Sequence, residues 1–314
     1  MRGLLVVNPR ATTTSPRVID VIVHALSDEV DLDVTVTTHK GHGMLLGELA
    51  LEERLDLVIT LGGDGVVNEV VNGMLSRGPG ESVPLLATVP GGSGNVFART
   101  LGLPTDAVEA TGLILERLRS GSTRTVGLGR AGQRWFVANA GLGIDAEIIA
   151  AMETHRRAGR TATPARYLTT TLNQFFRSTN RKDPALTLTR APDKDGHGGE
   201  RLEGVFLAIV QNTSPWTYFG TWPMSPCPDA SFDAGLDVFV MRRMRVPTAL
   251  RAASRLLASR VGGPAGGGLI VWHDEAGFTL TASRPVELQI DGEGLGATTE
   301  VVFTSHPDAL RVVG

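Results

Sequence analysis

The sequence predicts two domains of different class, a parallel α/β domain at the N terminus and an antiparallel β-sandwich behind it. Three observations carry this. As far as Ser122, short apolar runs alternate with helical patterns, whereas beyond it strand-like runs follow one another with turn signals and mostly no helices. Within the first region two apolar runs, Asp56 to Leu61 and Pro84 to Val89, each end in a glycine-rich turn that leads straight into a helical pattern. The 314 residues, 42% hydrophobic and 20% charged, suffice for two cores of ordinary size.

Taken in order, Gly3 to Val7 reads as the first strand and leaves through Asn8, Pro9 and Arg10. Ser15 ahead of Pro16 signals a helix start, and Val18, Ile19, Ile22, Ala25 and Leu26 follow helical spacing. Leu32 to Thr38 alternates as a strand, His42 to Arg54 is helical, and Asp56 to Leu61 is the next strand. A further helix runs from beyond Pro104 to Ser120. This alternation implies a Rossmann-like parallel sheet, whose ligands bind outside the carboxyl ends of the strands. The Asn8 loop, Thr38 and both glycine turns fall at that edge. The expected domains are 1–122 and 123–298, with 299–314 able to rejoin the first.

In the second domain Thr123 to Leu128 and Arg134 to Ala140 flank a turn at Gly129 to Gly132. Leu186 to Arg190, Gly204 to Gln211, Leu236 to Met241, Leu269 to His273, Gly277 to Ala282 and Val286 to Asp291 complete the sandwich. Two helices interrupt it, Pro164 to Arg177 and Pro247 to Arg260. Each sets an apolar face against arginines, a pattern shared by core-packing helices and by helices that lie on a membrane. Four aromatics crowd the loop from Pro215 to Pro223, as core residues or as the lining of an acyl-chain cleft.

Composition excludes several classes. A net charge of −3 argues against general nucleic-acid binding. No apolar run approaches the ~18 residues of a membrane helix, and the lone Cys227 excludes an internal disulfide and suits the cytoplasm. Yet residues 154–182 hold seven Arg/Lys and no acid, and 241–260 hold six Arg and no acid, which points to an anionic surface as partner.

The chemistry concentrates in the twin turns. Gly62, Gly63 and Gly65, then Gly91, Gly92 and Gly94, are expected to take φ > 0 conformations that aim backbone N–H groups at one anion. Both turns feed helix N-termini, where phosphate is favoured. Neither the G-K-[ST] of a P-loop nor the G-x-G-x-x-G of a dinucleotide fold is present. Asp64, a carboxylate among phosphate-binding glycines, makes sense facing Mg²⁺ or a hydroxyl. An asparagine follows each turn, Asn68 and Asn95. The pair of turns reads as a nucleotide site in the cleft between the domains.

G-G-D-G-V-V-N-E-V followed by P-G-G-S-G-N-V-F-A-R and L-G-L-P resembles the catalytic domain of the diacylglycerol kinase and sphingosine kinase group. Asn8-Pro9, G-L-G-I-D-A at Gly141 to Ala146 and I-D-G-E at Ile290 to Glu293 extend the resemblance over nearly the whole chain. It implies a cytoplasmic, peripherally membrane-associated kinase that uses ATP and Mg²⁺ to phosphorylate a lipid hydroxyl, diacylglycerol first and a sphingoid base or other lipid alcohol behind it. A kinase of a soluble substrate such as NAD, sharing only G-G-D-G, and a non-catalytic binding protein are the rivals. A homodimer is left open.

By that resemblance Glu293 is the base that deprotonates the lipid hydroxyl, with Asp291 second and Asp145 a third acid near substrate or metal. Asn8, Pro9, Thr38, Gly62, Gly63, Asp64, Gly65, Asn68, Gly91, Gly92, Ser93, Gly94 and Asn95 carry over as nucleotide contacts. His39 and His42 do not carry over and read as loop residues. One departure concerns a structural Mg²⁺ that related kinases hold with an Asp-Gly dipeptide. Ala234 stands here in place of that Asp, leaving Asp233 or Asp237 to compensate.

Overall fold

The computed structural model describes residues 1–9, 15–143, 183–190, 199–219, 221–243, 246–257 and 266–314. The chain divides into two compact units, residues 1–128 with 307–314 and residues 129–306.

The first unit alternates strand and helix as the apolar periodicity requires: β1 (Arg2–Val7), α1 (Pro16–Ser27), β2 (Asp31–Val36), α2 (His42–Glu52), β3 (Leu57–Gly62), α3 (Asp64–Met74), β4 (Leu85–Pro90), α4 (Val96–Thr100) and α5 (Ala107–Ser120). The strands pair in parallel in the order β2-β1-β3-β4, and Val312 near the C terminus pairs in parallel with Leu86 of β4. All residues of β3 and β4 are buried, the mark of parallel strands covered on both faces, whereas the edge strand β2 leaves Val34 and Val36 exposed. Helix α1 starts as its sequence signals, with Ser15 Oγ accepting from the Val18 N–H (3.3 Å) and Pro16 in the first turn.

The second unit contains the end of β5 (Thr123–Ala131), β6 (Arg134–Phe136), β7 (Asn139–Gly143), β8 (Leu186–Arg190), β9 (Arg201–Val205), β10 (Leu207–Gln211), β11 (Thr217–Phe219), β12 (Trp222–Met224), β13 (Leu236–Met241), α6 (Val246–Leu257), β14 (Leu269–Glu275), β15 (Gly277–Ile290) and most of β16 (Glu293–Val313). Its pairings are antiparallel. One layer runs β14-β13-β10-β7-β15. Strand β15 serves two partners, β8 along Phe278–Ala282 and β7 along Leu288–Ile290, with its register against β16 shifted in between. Alternate residues then bury on opposite faces. Leu236, Val238 and Val240 of β13 join Leu188, Phe278 and Phe303 in one core, while Phe239 and Met241 join Ile209, Trp216, Cys227 and Ala252 of α6 in another.

Three elements differ from the sequence reading. The run Arg134 to Ala140 is broken at Val137 and Ala138, whose N–H groups bond to a side chain rather than to a ladder. Gly204 to Gln211 is split at Phe206, just past Gly204 with φ +73°. The aromatic loop at Pro215 to Pro223 contains a short hairpin, β11–β12. Helix Pro164 to Arg177 and Asp145 lie outside the described residues.

Candidate functional site

Register brings four strand ends to one edge of the first unit. Val7 pairs with Val36 and with Leu61, and Gly62 pairs with Pro90, so the segments after β1, β2, β3 and β4 emerge side by side. The two glycine turns are bonded to each other, the Gly91 N–H donating to the Gly62 carbonyl at 2.8 Å. They also touch through backbone. A Cβ built on Gly63 would come 3.2 Å from Cα of Gly92, and one on Gly92 would come 2.7 Å from Cα of Gly63.

The expected φ > 0 geometry is corrected here: none of the six turn glycines adopts it. At Gly63 and Gly92 glycine is required because two backbones meet where a Cβ does not fit. The left-handed residue is Asn95, at φ +50°. Its Oδ1 accepts the Gly92 N–H (2.8 Å) and its Nδ2 donates to the Gly92 carbonyl (2.7 Å), closing the second turn on itself.

Asp64 opens α3 and reaches across to the other turn, where Oδ1 accepts the Phe97 N–H at 3.0 Å. Burial pushes this carboxyl above its ordinary value, opposed by the backbone amides of Phe97, Val96, Asp64 itself and Asn95. Asp64 therefore staples the two turns together. Ser93 is exposed at the tip of the second turn, with Gly65 and Gly94 partly buried beside it. Asn68 differs from these. It is buried within α3, where its Oδ1 accepts from Asn72 Nδ2 at 3.2 Å. Asn8 is partly buried and Pro9 exposed beyond β1, and Thr38 is exposed beyond β2.

Glu69 is a residue that motif reading passed over. It is buried on α3, and its two oxygens accept the N–H groups of Gly41 (2.7 Å) and Gly43 (2.9 Å). It thereby ties the segment after Thr38 to the helix that starts at the first glycine turn. Its place in G-G-D-G-V-V-N-E was visible; the partner, 26 to 28 residues earlier, was not.

In the second unit Ile290 pairs with Glu293 across a two-residue turn, and Asp291 and Gly292 have φ +45° and +79°. Positive φ at both central residues is the type I′ hairpin turn that Asp-Gly favours. The buried Asp291 carboxylate accepts three backbone amides, those of Val137 (2.8 Å), Ala138 (2.9 Å) and Asn139 (3.0 Å). A buried amide network continues it. Gln289 Nε2 donates to Asn139 Oδ1 (3.0 Å), Asn139 Nδ2 to the Trp216 carbonyl (3.0 Å), and the Gly292 N–H to Gln289 Oε1 (3.0 Å). Glu293, two residues past Asp291, is partly buried at the start of β16.

The two acids beside Ala234 differ in their surroundings. Asp233 is exposed, with its N–H on Ser231 Oγ (3.2 Å). Asp237 is buried, bonding through Oδ1 to His273 Nδ1 (2.7 Å) and to the Asp274 N–H (3.1 Å). Burial pushes Asp237 above its ordinary value, and the hydrogen bond to Asp237 holds the His273 imidazole above its own. Among the described residues, no three His, Cys, Asp or Glu side chains converge where a metal ion could sit.

Residues 2–131, which include both glycine turns, Thr38 and Glu69, match the family model of the diacylglycerol kinase catalytic domain. The match is confined to this segment. Asp291 and Glu293 lie beyond the matched diacylglycerol kinase domain. A protein of Chromohalobacter salexigens named as a probable YegS-like lipid kinase is 29% identical over 267 residues, 83% of this chain and 77% of that one. A diacylglycerol kinase of Staphylococcus epidermidis is 38% identical over 97 residues, 31% of this chain, and the match spans 28% of the staphylococcal protein's length. Two crystal structures from Bacillus anthracis str. Sterne share the fold. One has a TM-score of 0.75 at 22% identity; the other, of a diacylglycerol kinase, has 0.70 at 21%, and each alignment covers 99% of this chain and 96% of that one.

Proposed function

We propose that this chain is an ATP- and Mg²⁺-dependent lipid kinase that transfers the γ-phosphoryl group to a lipid hydroxyl, with diacylglycerol as the leading substrate and phosphatidic acid as product. The observation that carries the reading is the contact between the two glycine turns. Two backbones that meet where a Cβ would not fit, at the head of α3, make a surface that phosphate can approach closely. Relatives named as lipid and diacylglycerol kinases support the same reading.

Phosphoryl transfer asks a protein mainly to hold the phosphates and align a nucleophile. Backbone amides of the two turns other than those of Gly91 and Gly92, which are bonded within the turns, take the phosphates, with the Ser93 hydroxyl at the rim. Mg²⁺ bound with ATP would supply charge neutralisation, and Asp64 is the carboxylate of the turns that would help hold it. Glu293 accepts the proton of the lipid hydroxyl. Asp291, with its oxygens on three amides, positions Glu293 rather than sharing its task.

Peripheral attachment to an anionic membrane belongs to this proposal. No helix among the described residues is long and apolar enough to cross a bilayer. In the second unit Trp222 is 57% exposed and Leu250 of α6 is 66% exposed, next to the exposed Arg251. An apolar tip beside a cation suits the headgroup region.

The test is incubation with γ-labelled ATP, Mg²⁺ and a lipid panel in mixed micelles, with NAD in parallel. Label in the organic phase with diacylglycerol is expected. Label on NAD alone would overturn the lipid assignment.

A further inference from the structure

Three residues of the second unit, Val137 to Asn139, hold two loops at once. On one side their N–H groups converge on the Asp291 carboxylate, and the Asp291 N–H returns to the Asn139 carbonyl at 2.8 Å. On the other side Asn212 takes the remaining two carbonyls. Its Nδ2 donates to that of Val137 (3.0 Å) and its N–H to that of Ala138 (2.9 Å). Asn212 opens the loop that runs through Trp216 into the β11–β12 hairpin. The turn that carries Glu293 and the aromatic loop are thus bonded to one short stretch of backbone.

Amide side chains make a second, directional link between them. The Gly292 N–H donates to Gln289 Oε1, Gln289 Nε2 to Asn139 Oδ1, and Asn139 Nδ2 to the Trp216 carbonyl, each at 3.0 Å. A backbone donor at one end and a backbone acceptor at the other leave a single orientation for both amides. Gln289 and Asn139 are buried, so breaking one link strands a polar atom away from water. Trp216 is anchored on its other side as well, buried in the core that holds Ile209, Phe239 and Met241. Beyond it the hairpin reaches Trp222, an exposed ring. A fixed span therefore leads from the turn of Glu293 to an apolar surface. A lipid acceptor has two parts of matching kind, a hydroxyl to deprotonate and an acyl chain to keep from water.

We propose that Asn139 is a positioning residue for the acceptor, fixing the offset between the Trp222 loop, which takes the acyl chain, and Glu293, which takes the hydroxyl proton. This rests on the reading of the chain as a lipid kinase with Glu293 as base, and the test separates the two. kcat and KM are measured with dioctanoylglycerol and with diacetylglycerol, which keeps the hydroxyl and has almost no chain, for the wild-type protein and Asn139→Asp. The carboxylate keeps the shape of Asn139 and its acceptor toward Gln289, but has no N–H for the Trp216 carbonyl. A displacement of about 1 Å can cost about 100-fold in rate, so the preference in kcat/KM for the long-chain acceptor should fall about 10- to 100-fold. A merely structural role would lower both acceptors together. Equal losses, an unchanged preference, or a wild-type protein without one would overturn the proposal and leave the kinase standing. Should Asn139→Asp not fold, amide-shift mapping of the wild-type protein decides. Dioctanoylglycerol should move the amides of Trp216 to Phe219 together with those of Asp291 to Glu293, and shifts confined to the latter would overturn the proposal. Transfer to neither acceptor by the wild-type protein would overturn the lipid-kinase reading and the positioning role with it.

Discussion

The glycine turns of the first unit and the Asp291–Glu293 turn of the second both rely on glycine, for opposite reasons. Gly63 and Gly92 have ordinary backbone angles and are needed because each fills the space where the other's Cβ would stand. Gly292 has open space around it and is needed for its φ of +79° beside Asp291. The first pair builds a surface out of bare backbone, suited to an anion that several N–H groups share. The second presents a side chain on a hairpin tip and fixes it with a carboxylate-to-amide clamp. The proposed function divides the labour accordingly, with backbone to hold the phosphates and side chains to handle the proton.

That contrast can be broken at three places. The largest effect is expected at Glu293. General-base catalysis contributes about 10²–10⁴-fold, so Glu293→Gln should lower kcat by that order while thermal stability and ATP affinity barely move. Near-normal turnover would remove Glu293 as the base. Asp291→Asn should behave in the reverse manner. An amide cannot accept at both of its ends, so at least one buried backbone N–H loses its partner at a cost of about 3 kcal/mol. A lowered midpoint in denaturant is the expected result, and unchanged stability with lost rate would return Asp291 to the proton transfer. Gly92→Ala should be milder. The added methyl forces the two turns apart at about 1–3 kcal/mol of strain, seen as roughly tenfold weaker ATP binding with Glu293-dependent chemistry intact at saturation. ATP affinity equal to wild type would mean the turns do not meet around phosphate.

Much of the first unit was legible because its signals are local. Ser15-Pro16 caps α1 as its spacing implies, and the buried runs of β3 and β4 stand out as parallel strands. The doubled glycine turn could be placed at the carboxyl edge from strand alternation alone. Its mechanism could not, since glycine spacing does not distinguish positive φ from a close approach; only the meeting of two turns 29 residues apart in sequence reveals that. Asp64 illustrates the same limit, because its bond to Phe97 spans 33 residues. In the second unit the hairpin dipeptide was visible. The clamp was not, since its partners lie 152 to 154 residues upstream in what read as an unbroken strand. The stacked histidines, His39 and His42, were unreadable for another reason: His39 lies before α2 and His42 is its first residue rather than a loop residue, and they become a pair only through Thr38 and Gly41.

The most direct measurement is amide chemical-shift mapping of the isotope-labelled protein as ATP is added. The cradle predicts that the largest shifts fall on Gly62 to Gly65 and Gly91 to Gly94, and that inorganic tripolyphosphate moves the same amides. Saturable ATP binding that leaves both glycine turns unshifted would contradict it.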